Sequence, residues 1–280
     1  MMRRLYTIFC FILMSVALYA NDTGYVMSDR YREIHYTDIK DADQKLLKYY
    51  KERIHNKISD FETYEDYFPY DMFKSLIMSD KRTLEYNFSY CNINERSSPD
   101  GKIKLYNWIF DVFVFGTDTR AVLTFSNGEF YGTYASIEEN EGFHSLIVPI
   151  DTHKIETLQL ADGSPLYLFF AGHRNLSSYI TSVSAFVFNK DLLEPYNILN
   201  VDGKYVSEID RCTVIGVSNV VRIEYRDGDL YIPQEGYQHH FFDGHICPTI
   251  SGFNDVYHFD GEKFLYNKTI YDEDVALDST

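Results

Sequence analysis

The chain has 280 residues, 45% of them hydrophobic, and its 42 acidic against 26 basic side chains give a formal charge of −16. So acidic a surface repels phosphate backbones and anionic bilayers, which argues against nucleic acid and membrane surfaces as ligands. Four cysteines in this length are too few for a disulfide framework.

Residues 1–20 have the layout of a secretory signal peptide. Arg3 and Arg4 form a positive start, Leu5–Leu18 is an apolar run, and Ala20 is the expected last residue before cleavage. The run is short for a bilayer span of about 20 residues. No later segment is apolar enough to cross, so the mature chain is expected to be exported, periplasmic or extracellular, without a membrane span. After cleavage Cys91, Cys212 and Cys247 remain. An odd number allows one internal bridge at most, and Cys212–Cys247 is the pair the spacing favours. Asn21, Asn87, Asn175 and Asn267 each open an Asn-x-Ser/Thr triplet, which matters only in a host that glycosylates asparagine.

Glycine divides the rest of the chain: of fifteen glycines only Gly24 precedes residue 101. A glycine-free region suits helices, and a glycine-rich one suits tight turns between strands. The expected organisation is an N-terminal helical segment (21–82) packed on an antiparallel β domain (83–271), followed by an acidic tail (272–280). Ile39, Ala42, Leu46, Leu47, Tyr50, Ile54 and Ile58 fall at helical spacing, with Asp38 as cap and Asp41 and Asp43 near the positive end of the dipole. A second, short helix is expected over Asp71–Met78.

From Thr83 the reading is strand after strand: Thr83–Tyr90, Ile103–Trp108, Val112–Phe115, Arg120–Phe125, Glu129–Tyr134 and Ser145–Ile150. Leu166–Ala171, Tyr179–Phe188, Tyr205–Ile209, Thr213–Val217, Val220–Tyr225, Leu230–Ile232, Val256–Phe259 and Lys263–Tyr266 complete the set. Asn127-Gly128, Asp227-Gly228 and Asp260-Gly261 sit between such runs as two-residue hairpin turns do, which implies antiparallel pairing. After Asp100-Gly101, Ile103 and Leu105 are expected on one face of a strand, and Lys102, Lys104 and Tyr106 on the other. The fold class expected is mainly β: antiparallel, hairpin-rich sheets forming a degenerate propeller, a sandwich or a barrel.

Ser98-Pro99-Asp100-Gly101-Lys102, followed by an alternating strand, resembles the turn that opens strands in β-propeller-type repeats, and Val201-Asp202-Gly203-Lys204-Tyr205 is a partial second copy. The match covers about ten residues. The wider layout, with Ser98, Asp100, Gly101, Tyr106 and Trp108, is similar to uncharacterised exported proteins of Gram-negative bacteria. That resemblance implies export and a β-rich fold, and it carries no activity.

The densest set of potential ligands is His239, His240, Asp243 and His245, with Glu235 upstream and Cys247 downstream. Zinc accepts imidazole, carboxylate and thiolate, but the spacing fits no known ligand pattern, and no other cofactor is expected. Cys247 lacks a strand-to-helix elbow for nucleophilic work, and no serine-hydrolase, phosphate-loop or metalloprotease motif occurs. His173 and Arg174 end an apolar strand, where loops often carry binding groups. Aromatics make up 17% of the chain, with 25 Tyr, 21 Phe and Trp108 as the one tryptophan. Most are expected in cross-strand pairs, with Trp108 and the early Tyr25, Tyr31 and Tyr36 as candidates for an exposed platform.

The function these residues favour is an exported, non-catalytic binding or interaction protein. Its ligand would be a glycan, a peptide or a surface protein, with Trp108, His173 and Arg174 as candidate binding residues. The alternatives are a metal-assisted hydrolase built on Glu235–Cys247 and a structural partner docking through the N-terminal helix.

Overall fold

The computed structural model describes residues 24–28, 32–56, 70–88, 93–112, 116–128, 131–135, 148–149, 151–174, 178–190, 192–201, 203–214, 222–242 and 245–271. The expected signal peptide (1–20), Tyr31, Cys91, Asp243 and the acidic 272–280 lie outside the described residues. The chain divides into two units, Met1–Tyr90 and Cys91–Thr280.

The first unit opens on a hairpin that the sequence did not signal, β1 (Tyr25–Ser28) with β2 (Glu33–Tyr36), followed by α1 (Ile39–Asn56) and α2 (Tyr70–Ser79). Asp38 caps α1, its carboxylate accepting from the Asp41 N–H at 2.9 Å. Asp41 reaches back to the Thr37 N–H at 3.0 Å and pairs with Lys45 at 2.8 Å. Asp43, also in the first turns, is buried and accepts from the Tyr86 hydroxyl at 2.9 Å. Met27, Ala42, Leu46, Phe73, Leu76 and Ile77 are buried in this unit.

Residues 83–88 do not form a strand, and the last two residues of the expected Thr83–Tyr90 strand lie outside the described residues. Lys81–Leu84 is a 3-10 helix capped by Asp80, which accepts from the Arg82 N–H, while the Thr83 hydroxyl donates to the Asp80 carbonyl at 2.7 Å. This local capping overrides the β preference of Thr83. Tyr36 is also corrected: it is 1% exposed, its ring stacked on Tyr25 at 5.4 Å and its hydroxyl donating to Asp80 at 3.3 Å. Burial, opposed in part by Ser79 and reinforced by Asp80, pushes its pKa up to about 12.

The second unit is mainly β and antiparallel throughout. Its first sheet runs β3 (Asn94–Ser97), β4 (Ile103–Val112), β5 (Gly116–Ser126) and β6 (Tyr131–Ala135) in sequence order. The second comprises β7 (Thr152–Gln159), β8 (Pro165–Arg174), β9 (Ser178–Asn189) and β10 (Leu192–Pro195), with β13 (Glu208–Val214) also on β9. A two-stranded ribbon joins β11 (Leu199–Val201) to β12 (Lys204–Val206). The last sheet is β14 (Glu224–Arg226), β15 (Asp229–Phe242), β16 (His245–Phe259) and β17 (Phe264–Tyr271).

The middle sheet is apolar on both faces. Tyr167, Phe169 and Phe186 pack with Ile103, Leu105, Leu123 and Phe125 of the first sheet. The alternate residues Leu166, Leu168, Phe170, Val183 and Ala185 pack with Leu230, Ile232 and Phe264 of the last. A strand covered on both sides reads as a continuous apolar run, as Leu166–Ala171 does.

The Ser98–Ile103 turn joins two of these layers. The Ser98 hydroxyl donates to Asp100 at 2.6 Å and accepts from the Ile103 N–H at 3.0 Å. The other oxygen of Asp100 accepts from the Tyr167 hydroxyl at 2.8 Å. Burial, with this bond to a carboxylate, raises the Tyr167 pKa well above the ordinary tyrosine range. The expected two-faced β4 is corrected: Lys104 and Tyr106 are as buried as Ile103 and Leu105, and Lys104 meets Glu95 at 2.7 Å.

Of the three expected two-residue hairpins, only Asp227-Gly228 is one. Arg226 pairs with Asp229, and positive φ at both turn residues (54° and 88°) gives the twist that two-residue hairpins need. Ser126 pairs with Tyr131 and Phe259 with Phe264, so those loops are longer. In the second, Asp260 accepts from the Glu262 and Lys263 N–H groups, both at 2.8 Å. Val112 belongs to β4, and the rest of the expected Val112–Phe115 strand lies outside the described residues, as does all of the expected Ser145–Ile150 strand but Val148 and Pro149, which are not in a strand. Cys212 is half-buried in β13.

Candidate functional site

The residues singled out from sequence lie on three different sheets. Trp108 stands in β4 opposite Arg120. His173 and Arg174 are the last two residues of β8, opposite Ile180 and Tyr179 of β9, and β13 continues those rows with Cys212 and Thr213. His239 pairs with Pro248, His240 with Cys247 and Phe242 with His245 in the β15–β16 ribbon. With a side-chain period of two, positions 240, 245 and 247 share one face of that ribbon and position 239 belongs to the other.

The best-defined cluster of exposed aromatic and hydrogen-bonding side chains is one that sequence reasoning missed. It lies on the last sheet, on the face that carries Leu230 and Ile232 into the core. Leu230 is opposite Tyr257, and Ile232 is opposite Asp255. Where the core stops, the same face continues outward as aromatic and polar side chains. Phe253, Tyr266 and Tyr271 are 40%, 57% and 54% exposed. Phe253 and Tyr271 pair edge to face at 5.0 Å, as do Tyr257 and Tyr266 at 5.8 Å.

A β-bulge assembles this shelf. Lys268 pairs with Val256 and Tyr266 with the next residue, Tyr257, so Asn267 is an extra residue in β17. In an unbroken strand Tyr266 would face away from Thr269 and Tyr271, an odd number of residues on. The bulge turns it back to their side.

Between the aromatics runs a hydrogen-bonded chain. Asp255 Oδ1 accepts from Gln234 Nε2 and from the Thr269 hydroxyl, both at 2.7 Å. Thr269 has one proton and spends it on Asp255, so at the 2.8 Å contact between the two hydroxyls Tyr266 is the donor. Among the described residues nothing donates to Asp255 Oδ2. The shelf therefore offers flat apolar faces beside a carboxylate oxygen able to accept from a ligand. A hydroxyl-rich ring with one apolar side matches that combination.

Comparison with protein-family models, curated proteins and solved structures finds no match for this chain. Among the described residues no helix is long and apolar enough to cross a membrane.

Proposed function

We propose that this chain is an exported, non-catalytic binding module that holds a glycan on the Phe253–Tyr266–Tyr271 shelf. One observation carries the reading: three large aromatic side chains stand in solvent around the Asp255–Thr269–Gln234 hydrogen-bond chain. A sugar would lay its C–H face on the tyrosine rings and direct a hydroxyl to Asp255 Oδ2. Binding by aromatic stacking and a few hydrogen bonds needs no deep cavity, and tyrosine loses little conformational entropy when it is used this way. The test is a glycan array probed with the mature wild type and with a Tyr266→Ala/Tyr271→Ala variant. At least one glycan class should be retained by the wild type and lost by the variant, at least tenfold in affinity. A wild type that retains none would refute the reading.

The second reading is a metal-assisted hydrolase on the β15–β16 ribbon. It is favoured by the register that sets positions 240, 245 and 247 on one face. Zinc accepts two imidazoles and a thiolate, leaving a fourth position for water. Elemental analysis of the purified mature protein separates the two: stoichiometric zinc, lost on His240→Ala or His245→Ala, supports the hydrolase.

A further inference from the structure

The shelf is ordered along its strands, and that order bears on what it can hold. Across β16 and β17, three successive same-face pairs are Phe253 with Tyr271, Asp255 with Thr269, and Tyr257 with Tyr266. An aromatic row is followed by a polar row and then by a second aromatic row. The rings within the aromatic rows meet at 61° and 76°. Gln234 of β15 lengthens the polar row, its Nε2 donating to Asp255 at 2.7 Å.

At about 3.3 Å per residue, neighbouring rows lie about 6.6 Å apart and the two aromatic rows about 13 Å apart. The extra residue Asn267 keeps the rows in step, because the stretch from Tyr266 to Tyr271 matches the shorter one from Tyr257 to Phe253. The row after Tyr257 and Tyr266 is Phe259 with Phe264. Phe264 is fully buried in the core, so the shelf ends there. One pyranose ring cannot lie on both aromatic rows. A run of three can, with its outer rings on the aromatic rows and its middle ring giving a hydroxyl to Asp255 Oδ2.

None of the six row residues is basic, and Asp255 carries the one charge among them, in a chain of charge −16. Lys268 pairs with Val256 and so takes the opposite face of the sheet. A uronate or sulfate on the middle ring would therefore meet like charge.

We infer that the shelf selects a linear, uncharged glycan through a stretch of three rings lying along β16 and β17. This rests on the glycan-binding reading and adds a length and a charge requirement to it.

The experiment is calorimetric titration of the full mature chain with oligosaccharide ladders of one to four rings. The uncharged ladders are β-1,4-linked glucose, mannose and N-acetylglucosamine, and the charged one is β-1,4-linked mannuronic acid. At least one uncharged ladder should gain tenfold or more in affinity from two rings to three. The mannuronate trimer should bind at least tenfold more weakly than that uncharged trimer. Phe253→Ala and Tyr266→Ala, one from each aromatic row, should each remove the gain from the third ring. Tyr266→Phe keeps the ring and should keep the gain. Both positions are exposed, so folding does not depend on them.

A single ring bound within threefold of the trimer would overturn this inference while leaving glycan binding in place. So would a mannuronate trimer bound as tightly as the uncharged one, or a third-ring gain that survives both alanine variants. A chain that retains glycans on the array but binds no uncharged ladder overturns this inference alone, and a chain that retains none overturns both readings.

Discussion

Tyr167 and Tyr266 stand on strands of neighbouring sheets, each directly opposite an aromatic residue, Phe186 and Tyr257 respectively. Tyr167 is fully buried, with its ring against Phe188 at 5.3 Å and its hydroxyl on Asp100. Tyr266 is 57% exposed and its hydroxyl joins a chain that ends at a solvent-accessible carboxylate. The residue type and the cross-strand pairing are the same. The middle sheet has a layer on each side, whereas β17 is the last strand of its sheet and runs on past the core. In a tyrosine-rich chain, distance from the stacked core therefore decides which rings are structure and which are available to a ligand.

The largest effect that separates the two regions is on stability. Phe169 is fully buried and edge to face with Phe186 at 5.3 Å. Phe169→Ala should cost about 3–5 kcal/mol in urea denaturation. Next comes Tyr167→Phe, which keeps the ring and removes the bond to Asp100. A loss of about 1.5–3 kcal/mol is expected for a hydrogen bond to a charged group, and a neutral result would mean that the Ser98–Ile103 turn does not depend on that bond.

A smaller effect lies in the N-terminal unit. Burial raises the Asp80 pKa, but hydrogen bonds from Arg82, its charge and the Tyr36 hydroxyl outweigh this and leave it below the ordinary value. A carboxylate lowered in the folded state adds stability that is complete above the unfolded pKa, about 4, and is lost as pH falls through the folded value. The acid limb of unfolding should therefore be shallower in Asp80→Asn, as followed by circular dichroism between pH 5 and pH 2. Least affected should be Tyr271→Ala, within about 0.5 kcal/mol of wild type because the ring is mostly in solvent.

Much of the architecture was legible in the chain. Leu166–Ala171 reads as a strand, Ile39 onward reads as a helix with Asp38 as cap, and Asp227-Gly228 reads as the turn it is. The Thr152–Gln159 strand was not, because only Thr152 and Ile155 in it are buried and its charged residues mask the alternation. The β1–β2 hairpin was hidden by the short length of its strands, and residues 83–88 by Asp80, whose side chain captures the local backbone.

The shelf was illegible for a different reason. Tyr266, Thr269 and Tyr271 do not share a strand face by spacing, and only the bulge at Asn267 brings them together. Bulges depend on the pairing partner, and no residue type announces them. The Asp255–Thr269 bond likewise joins residues 14 apart across two strands. The sequence signal that was available, an Asn-Lys-Thr triplet between two tyrosines, pointed to modification and not to geometry.

The difference between buried and available tyrosines can be measured directly by nitration with tetranitromethane followed by peptide mapping, with and without the glycan selected on the array. In the free protein Tyr266 and Tyr271 should react while Tyr36, Tyr106 and Tyr167 do not, and saturating glycan should protect Tyr266 and Tyr271 alone. Equal reaction of Tyr266 and Tyr271 in both states, or ready nitration of Tyr167 in the native protein, would contradict the account.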